Sequence, residues 1–424
     1  MLSVLSNAWA LLLGILLLLI GNGLQGTLLG IRGAIEGFDA ATMSIVMSAY
    51  YLGFLVGSRN AGHLIARVGH VRVFAALASL ISAAFIVYVA LPNPVLWVLM
   101  RLLVGFCFAG VYVVAESWLN DSATNETRGQ ALSIYMIVQS VGIISAQGFI
   151  NIADPASFEL FILMSVFVSI SFAPILLSVS RAPAFETARR MTLGQLYRVS
   201  PLGCVGTFML GGVFAGTFGM AAVFGTERGL SVAEITLFAA SIYTGGLLLQ
   251  YPIGWVSDRV DRRRLIIALT LAGAAMSFAG VLADSFVFLL AAGFAIGGVA
   301  NPLYSLLIAY TNDFLDPSEM ASASGGLLFL HGLGAVAGPL AIGWLMQAYG
   351  ADAFFVFLAT LFALIAVYGL WRMTRRAAPT VDQTASYSPV MPTASPVALE
   401  VAQEVSIERS AEANDGHAPG EPRP

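Results

Sequence analysis

Long apolar runs separated by short polar connections set the pattern of this chain. Twelve runs can be read, at residues 8–30, 41–66, 73–91, 95–119, 129–151, 158–179, 200–225, 233–257, 264–283, 286–311, 320–347 and 352–373. As a helix rising 1.5 Å per residue, each is long enough to cross about 30 Å of hydrocarbon. The pattern therefore predicts an all-α membrane protein. The first run, Trp9–Leu29, has no Arg before it and no small-residue cleavage site after it, so it reads as a retained span and not a leader. The longest polar interruption, 181–199, reads as a linker between residues 1–180 and 200–375. Residues 376–424 are rich in Pro, Ala, Ser and Glu without apolar periodicity, and are expected to be a disordered tail.

The two halves repeat each other. Gly53–Val73 and Gly245–Leu265 align at a constant offset of 192, the distance from Gly53 to Gly245. The match pairs Leu55 with Leu247, Gly62 with Gly254, Arg67 with Arg259 and Arg72 with Arg264. Tyr51 and Tyr243 keep that register, as do Asn120-Asp121 with Asn312-Asp313, Gly142 with Gly334, and Gln139 with His331. A duplication near the midpoint of a very apolar chain is the mark of a transporter built from two related halves, each of six helices.

Composition agrees. The chain is 58% hydrophobic and 10% charged, with mean hydropathy +0.84, whereas soluble domains carry about 25% charged residues. Its 20 basic residues are all Arg. Those between and after the spans collect on one face: Arg67, Arg72, Arg128, Arg181, Arg189, Arg190, Arg198, Arg259, Arg262, Arg263, Arg264, Arg375 and Arg376. The other face offers Arg32 and Arg228. The positive-inside rule then puts both termini in the cytoplasm of a multi-pass protein of the bacterial inner membrane, as an even number of spans requires. Cys107 and Cys204 lie inside apolar runs and read as small buried side chains.

The repeated loop resembles the signature G-x-L-x-D-R-x-G-R-R of the major facilitator superfamily. The first copy reads Gly62-His63-Leu64-Ile65-Ala66-Arg67-Val68-Gly69-His70-Val71-Arg72. The second reads Gly254-Trp255-Val256-Ser257-Asp258-Arg259-Val260-Asp261-Arg262-Arg263. The second copy keeps the aspartate that ends the helix; the first has Ala66. Arg101-Leu-Leu-Val-Gly105 resembles the family's R-x-x-x-G motif. Gly334-x-x-x-Gly338-Pro339 resembles the antiporter motif G-x-x-x-G-P, but lies in span eleven where antiporters carry it in span five. Ala115-Glu116-Ser117-Trp118-Leu119-Asn120, with Gly30-Ile31-Arg32, is similar to the YcaD-like branch. The resemblance implies two six-helix halves around a central cavity lined by spans one, four, seven and ten, with the signature loops at an inner gate.

A charge at mid-bilayer costs about 2.5–3.5 kcal/mol on insertion scales, so ionisable groups within spans are the first candidates. Arg101, about six residues or some 9 Å into span four, reads as a substrate or proton-coupling cation; the alternative is an arginine snorkelling outward. Arg32 reads as an interfacial partner of Glu36 or Asp39, and alternatively as an electropositive mouth. Glu116, at the inner end of span four, is expected to clamp the gate by pairing with Arg59, Arg72 or both, in place of the aspartate missing at 66. Gln139 and His331 are repeat equivalents near mid-depth and face each other across the pseudo-axis provided both point inward; His331 reads as a proton-coupling or ligand group, the alternative being a hydrogen-bonded packing histidine. His331 is the mid-membrane group that titrates near neutral pH when unperturbed. Asn22, Gln25, Asn301 and Tyr304 are candidates for the cavity wall. Gly62, Arg67, Gly69, Arg72, Arg59, Glu116, Gly254, Asp258, Arg259 and Arg262 form the expected inner gate.

A membrane enzyme needs paired His, Asp, Glu or Cys at catalytic or metal spacing, and no span offers two in register. The expected function is secondary transport of a small solute by alternating access. Arg32, Arg59, Arg101 and His331 favour an anionic or amphipathic solute, with protons as the candidate coupling ion. A proton-driven efflux antiporter and a transport-inactive sensor signalling through its tail are the alternatives. The partners expected are a small molecule, protons and lipid, with no cofactor, metal or nucleic acid, and the protein is expected to be a monomer.

Overall fold

Helix ends in this chain are written by local chemistry. Asp39 caps one helix by accepting from Thr42 N at 2.8 Å. Asn93 caps another ahead of Pro94, and Ser231 with Glu234 forms a reciprocal capping box. Gly69 sits at φ +87°, a conformation that costs an L side chain, and turns one span straight into the next.

The computed structural model describes residues 2–124, 127–177, 191–375 and 387–415. Among the described residues, twelve helices are long and apolar enough to cross a membrane. The amino half holds α1 (Leu2–Ile35), α2 (Ala40–Val68), α3 (His70–Ala90), α4 (Pro94–Ser122), α5 (Arg128–Phe149), and α6 (Glu159–Ser171) continued by α7 (Ala173–Leu177). A short helix, α8 (Leu193–Val199), precedes the other half. That half holds α9 (Pro201–Glu227), α10 (Val232–Ser257), α11 (Arg262–Val281), α12 (Phe286–Asn312), α13 (Pro317–Tyr349) and α14 (Ala353–Met373). The last helix, α15 (Pro396–Asp415), lies in the tail. Residues 181–190 of the expected linker lie outside the described residues.

The duplication is visible as packing. A Cβ on Gly53 would overlap the Leu102 carbonyl, and one on Gly105 would overlap that of Tyr50. In the other half Gly245 meets Phe294 and Gly297 meets Ile242 in the same way, each pair displaced by 192. Small residues let α2 press on α4, and α10 on α12, backbone to backbone. This is how helices associate where lipid removes the usual hydrophobic drive. Leu80, Leu99, Val166, Leu237, Leu271 and Phe278 point outward as the apolar surface such a protein turns to lipid.

The halves meet at the end away from the signature loops. There Asn151 Nδ2 donates to Thr236 Oγ1 at 3.0 Å, Gln347 Nε2 to Asp39 at 3.1 Å, and Ser48 Oγ to the Val336 carbonyl at 2.6 Å. Gly30 presses on Ala222, and Gly343 on Ser44. At the signature-loop end the space between the halves is taken by the tail. The expectation of a disordered tail over 376–424 is therefore corrected for residues 387–415, where α15 packs against α13, α4 and α5; residues 376–386 and 416–424 of that tail lie outside the described residues.

Candidate functional site

The signature loops build unequal clusters. At the start of α11, Arg262 is 3% exposed, and a cation at a helix N-terminus opposes the helix dipole. Acids offset it: Arg262 pairs with Asp313 at the end of α12 and, at 3.4 Å, with Asp258 at the end of α10. Its Nε also donates to Ser257. The cluster thus ties three helix ends together. Arg259 lies 3.9 Å over the Trp255 ring, and Arg263 pairs with Asp261 at 3.3 Å. In the amino half the same positions are Ala66, His70 and Asp121, at the offset of 192. His70 is buried beside Trp118, while Arg67, Arg72 and Asp121 are exposed. Gly62 lies half-buried one turn before them.

The expected clamp by Glu116 does not form. Glu116 is buried, and its partners are the Tyr135 hydroxyl at 3.2 Å and the Ser395 backbone N–H at 2.9 Å, instead of Arg59 or Arg72. Arg59 is exposed on α2 and sits 4.9 Å over the Phe329 ring of α13, so it joins the halves by a cation–π contact. A backbone amide can replace a cation here because a charge-assisted hydrogen bond satisfies much of a buried carboxylate's demand.

Arg101 is 4% exposed on α4. Its guanidinium lies 4.7 Å over the Tyr50 ring, its Nη2 reaches Met47 Sδ at 3.2 Å, and its Nε has no partner of normal hydrogen-bond geometry. Asn22 lies beside the Tyr50 and Tyr112 hydroxyls. Gln25 donates to the Tyr88 hydroxyl at 3.0 Å and leaves its own Oε1 unpartnered. These groups put one cation and several unsatisfied polar atoms in the membrane interior of the amino half. Buried polar atoms left unpaired are costly, so a cation among them in the membrane interior makes this region a candidate for binding.

The carboxy half answers with aromatic groups. His331 is buried with its ring 4.8 Å from Tyr304 and 5.5 Å from Phe214, and neither nitrogen has a partner of normal geometry. Asn301 fills the space left by Gly246. Gln139, the repeat equivalent of His331, lies beside Tyr135 in the Glu116 cluster. Each half thus uses its equivalent mid-span position locally. Arg32 is committed elsewhere: it pairs with Glu36 at 2.6 Å and donates to the carbonyls of Pro155 and Ala156, which leaves little of it for an anion.

Between these groups lies a pocket lined by Tyr50, Tyr51, Phe54, Phe214, His331 and, from the tail, Pro392 and Thr393. Tyr50 therefore belongs both to the pocket wall and to the face of Arg101. The free space is about 30 Å³, a tenth or less of the roughly 300–1,000 Å³ typical of ligand pockets. The tail closes one side of this pocket through Pro392 and Thr393 and is bonded to the spans nearby. Tyr387 N donates to Asp258 at 2.7 Å, Val390 N to Ser305 Oγ at 2.9 Å, and Ser395 N to Glu116. Burial pushes the Tyr387 hydroxyl above its ordinary range, so it stays neutral where Gln250 donates to it. Sequence reading missed Ser305, Tyr135 and the tail itself. The one signal available was the scatter of Tyr387, Val390, Leu399 and Val405 among small residues.

Known proteins bear on this architecture. The Major Facilitator Superfamily profile matches residues 11–200 and 203–402. A relative in Escherichia fergusonii named "Uncharacterized MFS-type transporter YcaD" is 26% identical over 357 residues, 82% of this chain and 91% of its own. A crystallised variant of the nucleoside transporter NupG superposes with TM-score 0.76 at 14% identity, over 86% of this chain and 98% of that one. A bacterial homologue of the human lysosomal transporter Spinster, inward-facing and unoccupied, superposes with TM-score 0.66 at 14% identity, over 96% of this chain and 98% of that one. Two six-helix halves repeated at a fixed offset, a signature loop in each and a profile match across nearly the whole span region place this chain in the Major Facilitator Superfamily of membrane transporters.

Proposed function

We propose that the chain carries a small anionic or amphipathic solute through the space between its halves, by alternating access. The observation that carries this reading is Arg101. A guanidinium held within the membrane against Tyr50, with one N–H unspent, is a ready partner for a carboxylate, phosphate or sulfonate. Tyr50 stands at the pocket wall, so a turn of its ring would open Arg101 to a solute there. Asn22, Gln25, Asn301 and Tyr304 supply the neutral wall.

The signature-loop end is taken as cytoplasmic, because the arginines collect there. The two loop arginines at the opposite end are each paired with an acid, Arg32 with Glu36 and Arg228 with Asp352. On this orientation the conformation seen is closed outward, and the tail fills the inward opening. For proton coupling, Glu116 is a better carrier than His331. The carboxylate is buried among exchangeable hydroxyl and amide donors, whereas the imidazole is packed among rings.

The test is a thermal-shift screen of organic anions on purified protein, repeated with Arg101→Ala. A true solute at 100 times its Kd stabilises by about 2.7 kcal/mol, and the variant should lose most of that shift. A ligand that stabilises both proteins equally would remove Arg101 from the site.

A further inference from the structure

We propose that the carboxy-terminal segment Tyr387–Val405 is a cis-acting plug. It is a peptide ligand of the space between the halves, and it shuts the solute path until it is displaced. This rests on the reading of that space as the solute path.

Three backbone amides of the segment are received by side chains of the spans. Tyr387 N goes to Asp258, Val390 N to Ser305 and Ser395 N to Glu116. Ser305 returns a bond to the Val390 carbonyl at 3.0 Å. Asp258 and Ser305 belong to the carboxy half and Glu116 to the amino half. Farther on, Gln403 bonds Ser324 of α13, and Glu404 pairs with Arg128 of α5. The segment is therefore stapled to both halves at the end where they must approach if the path is to open on the opposite side.

The spans are shaped to receive it. The Tyr387 ring lies on Gly254, where a Cβ would stand 2.6 Å from the ring. The glycine of the second signature copy thus makes room for a tail side chain. Val390, Ala394, Leu399 and Ala402 are buried in the same body of apolar residues as the spans. Glu116 and Asp258, each set at the inner gate by its place in the sequence, spend a carboxylate oxygen on this segment.

Tethering makes the arrangement reversible. Residues 376–386 join Arg375 to the segment, and eleven residues span at most roughly 36–40 Å. Docking is therefore intramolecular, and the segment is not diluted as a free peptide is. Weak docking then suffices to fill the space, and competition from solute or an approach of the halves can expel it.

The experiment reads access and needs no solute. In a background of Cys107→Ser and Cys204→Ser, Ser58→Cys places one thiol on the pocket wall beside Pro392 and Thr393. Inverted membrane vesicles are treated with an impermeant maleimide. Three proteins are compared: the full chain, a chain ending at Arg375, and a full-length chain with Val390→Asp and Leu399→Asp. The last guards against a truncation that misfolds. The thiol should react about tenfold faster in both altered chains, the ratio for a plug in place nine-tenths of the time. A synthetic peptide of residues 387–405 should slow the truncated chain again, and a scrambled peptide should not. Equal rates in all three proteins would overturn the plug. A tail-dependent rate seen from the outer face of intact cells alone would keep the plug and overturn the orientation.

Discussion

Arg262 and Arg72 show how little a motif position says about energy. Both are arginines of a signature loop. Arg262 is buried and holds Asp258 and Asp313; Arg72 is exposed. Removing one member of a buried ionic cluster leaves the others uncompensated, at a cost of about 3–5 kcal/mol. Changing an exposed arginine costs within about 0.5 kcal/mol. Thermal unfolding in detergent should therefore show a large fall for Arg262→Ala and almost none for Arg72→Ala; comparable falls would contradict the asymmetry of the two copies. Glu116→Gln makes a second prediction. The amide keeps an oxygen for Ser395 N but loses the charge, so tail docking should weaken by roughly 1 kcal/mol, about fivefold. The thiol at position 58 reports it, and the response should be smaller in the chain ending at Arg375, where Glu116 keeps its Tyr135 partner and its place within the spans but has no tail to hold. An equal response with and without the tail would take Glu116 out of tail docking.

At the scale of elements, glycine contacts decide how the helices sit. Gly53 on α2 and Gly245 on α10 meet the backbone of the neighbouring helix in the same geometry. Adding a methyl at either must push two backbones apart, and overpacking of this kind costs about 1–3 kcal/mol. Gly53→Ala and Gly245→Ala should each lower stability by that amount, and together by nearly the sum, because the sites lie in different halves. A neutral result at either would mean that its helix pair has slack. The spans themselves were legible, since an apolar run of fixed length carries its own signal and the offset of 192 repeats it. The tail helix was not. Its apolar residues are spread through Pro, Ala and Ser, and what orders them lies far off: Ser395 reaches an acid 279 positions away. The same distance hid the partner of Glu116. An acid near a run of arginines suggests an ion pair, and nothing local points to a backbone amide from the far end of the chain.

At the scale of the molecule, two halves joined at one end, with a peptide bonded to both at the other, are what one state of the proposed alternating access would look like. The repeat makes the halves alike, and the signature loops make them unequal. One loop is tied by Arg262 to Asp258 and Asp313, while in the other Ala66 and His70 offer no such cluster and Glu116 is left to Tyr135 and the tail. The most direct measurement is of the distances between halves at both ends, by double electron–electron resonance on the chain ending at Arg375, without its native cysteines. One spin-label pair sits at Ala41→Cys and Gln347→Cys, the other at Asn60→Cys and Glu319→Cys. The account predicts two populations at each pair, short at one end when long at the other, with their ratio moved by a bound solute. A single unchanging distance at both pairs, with and without solute, would contradict it.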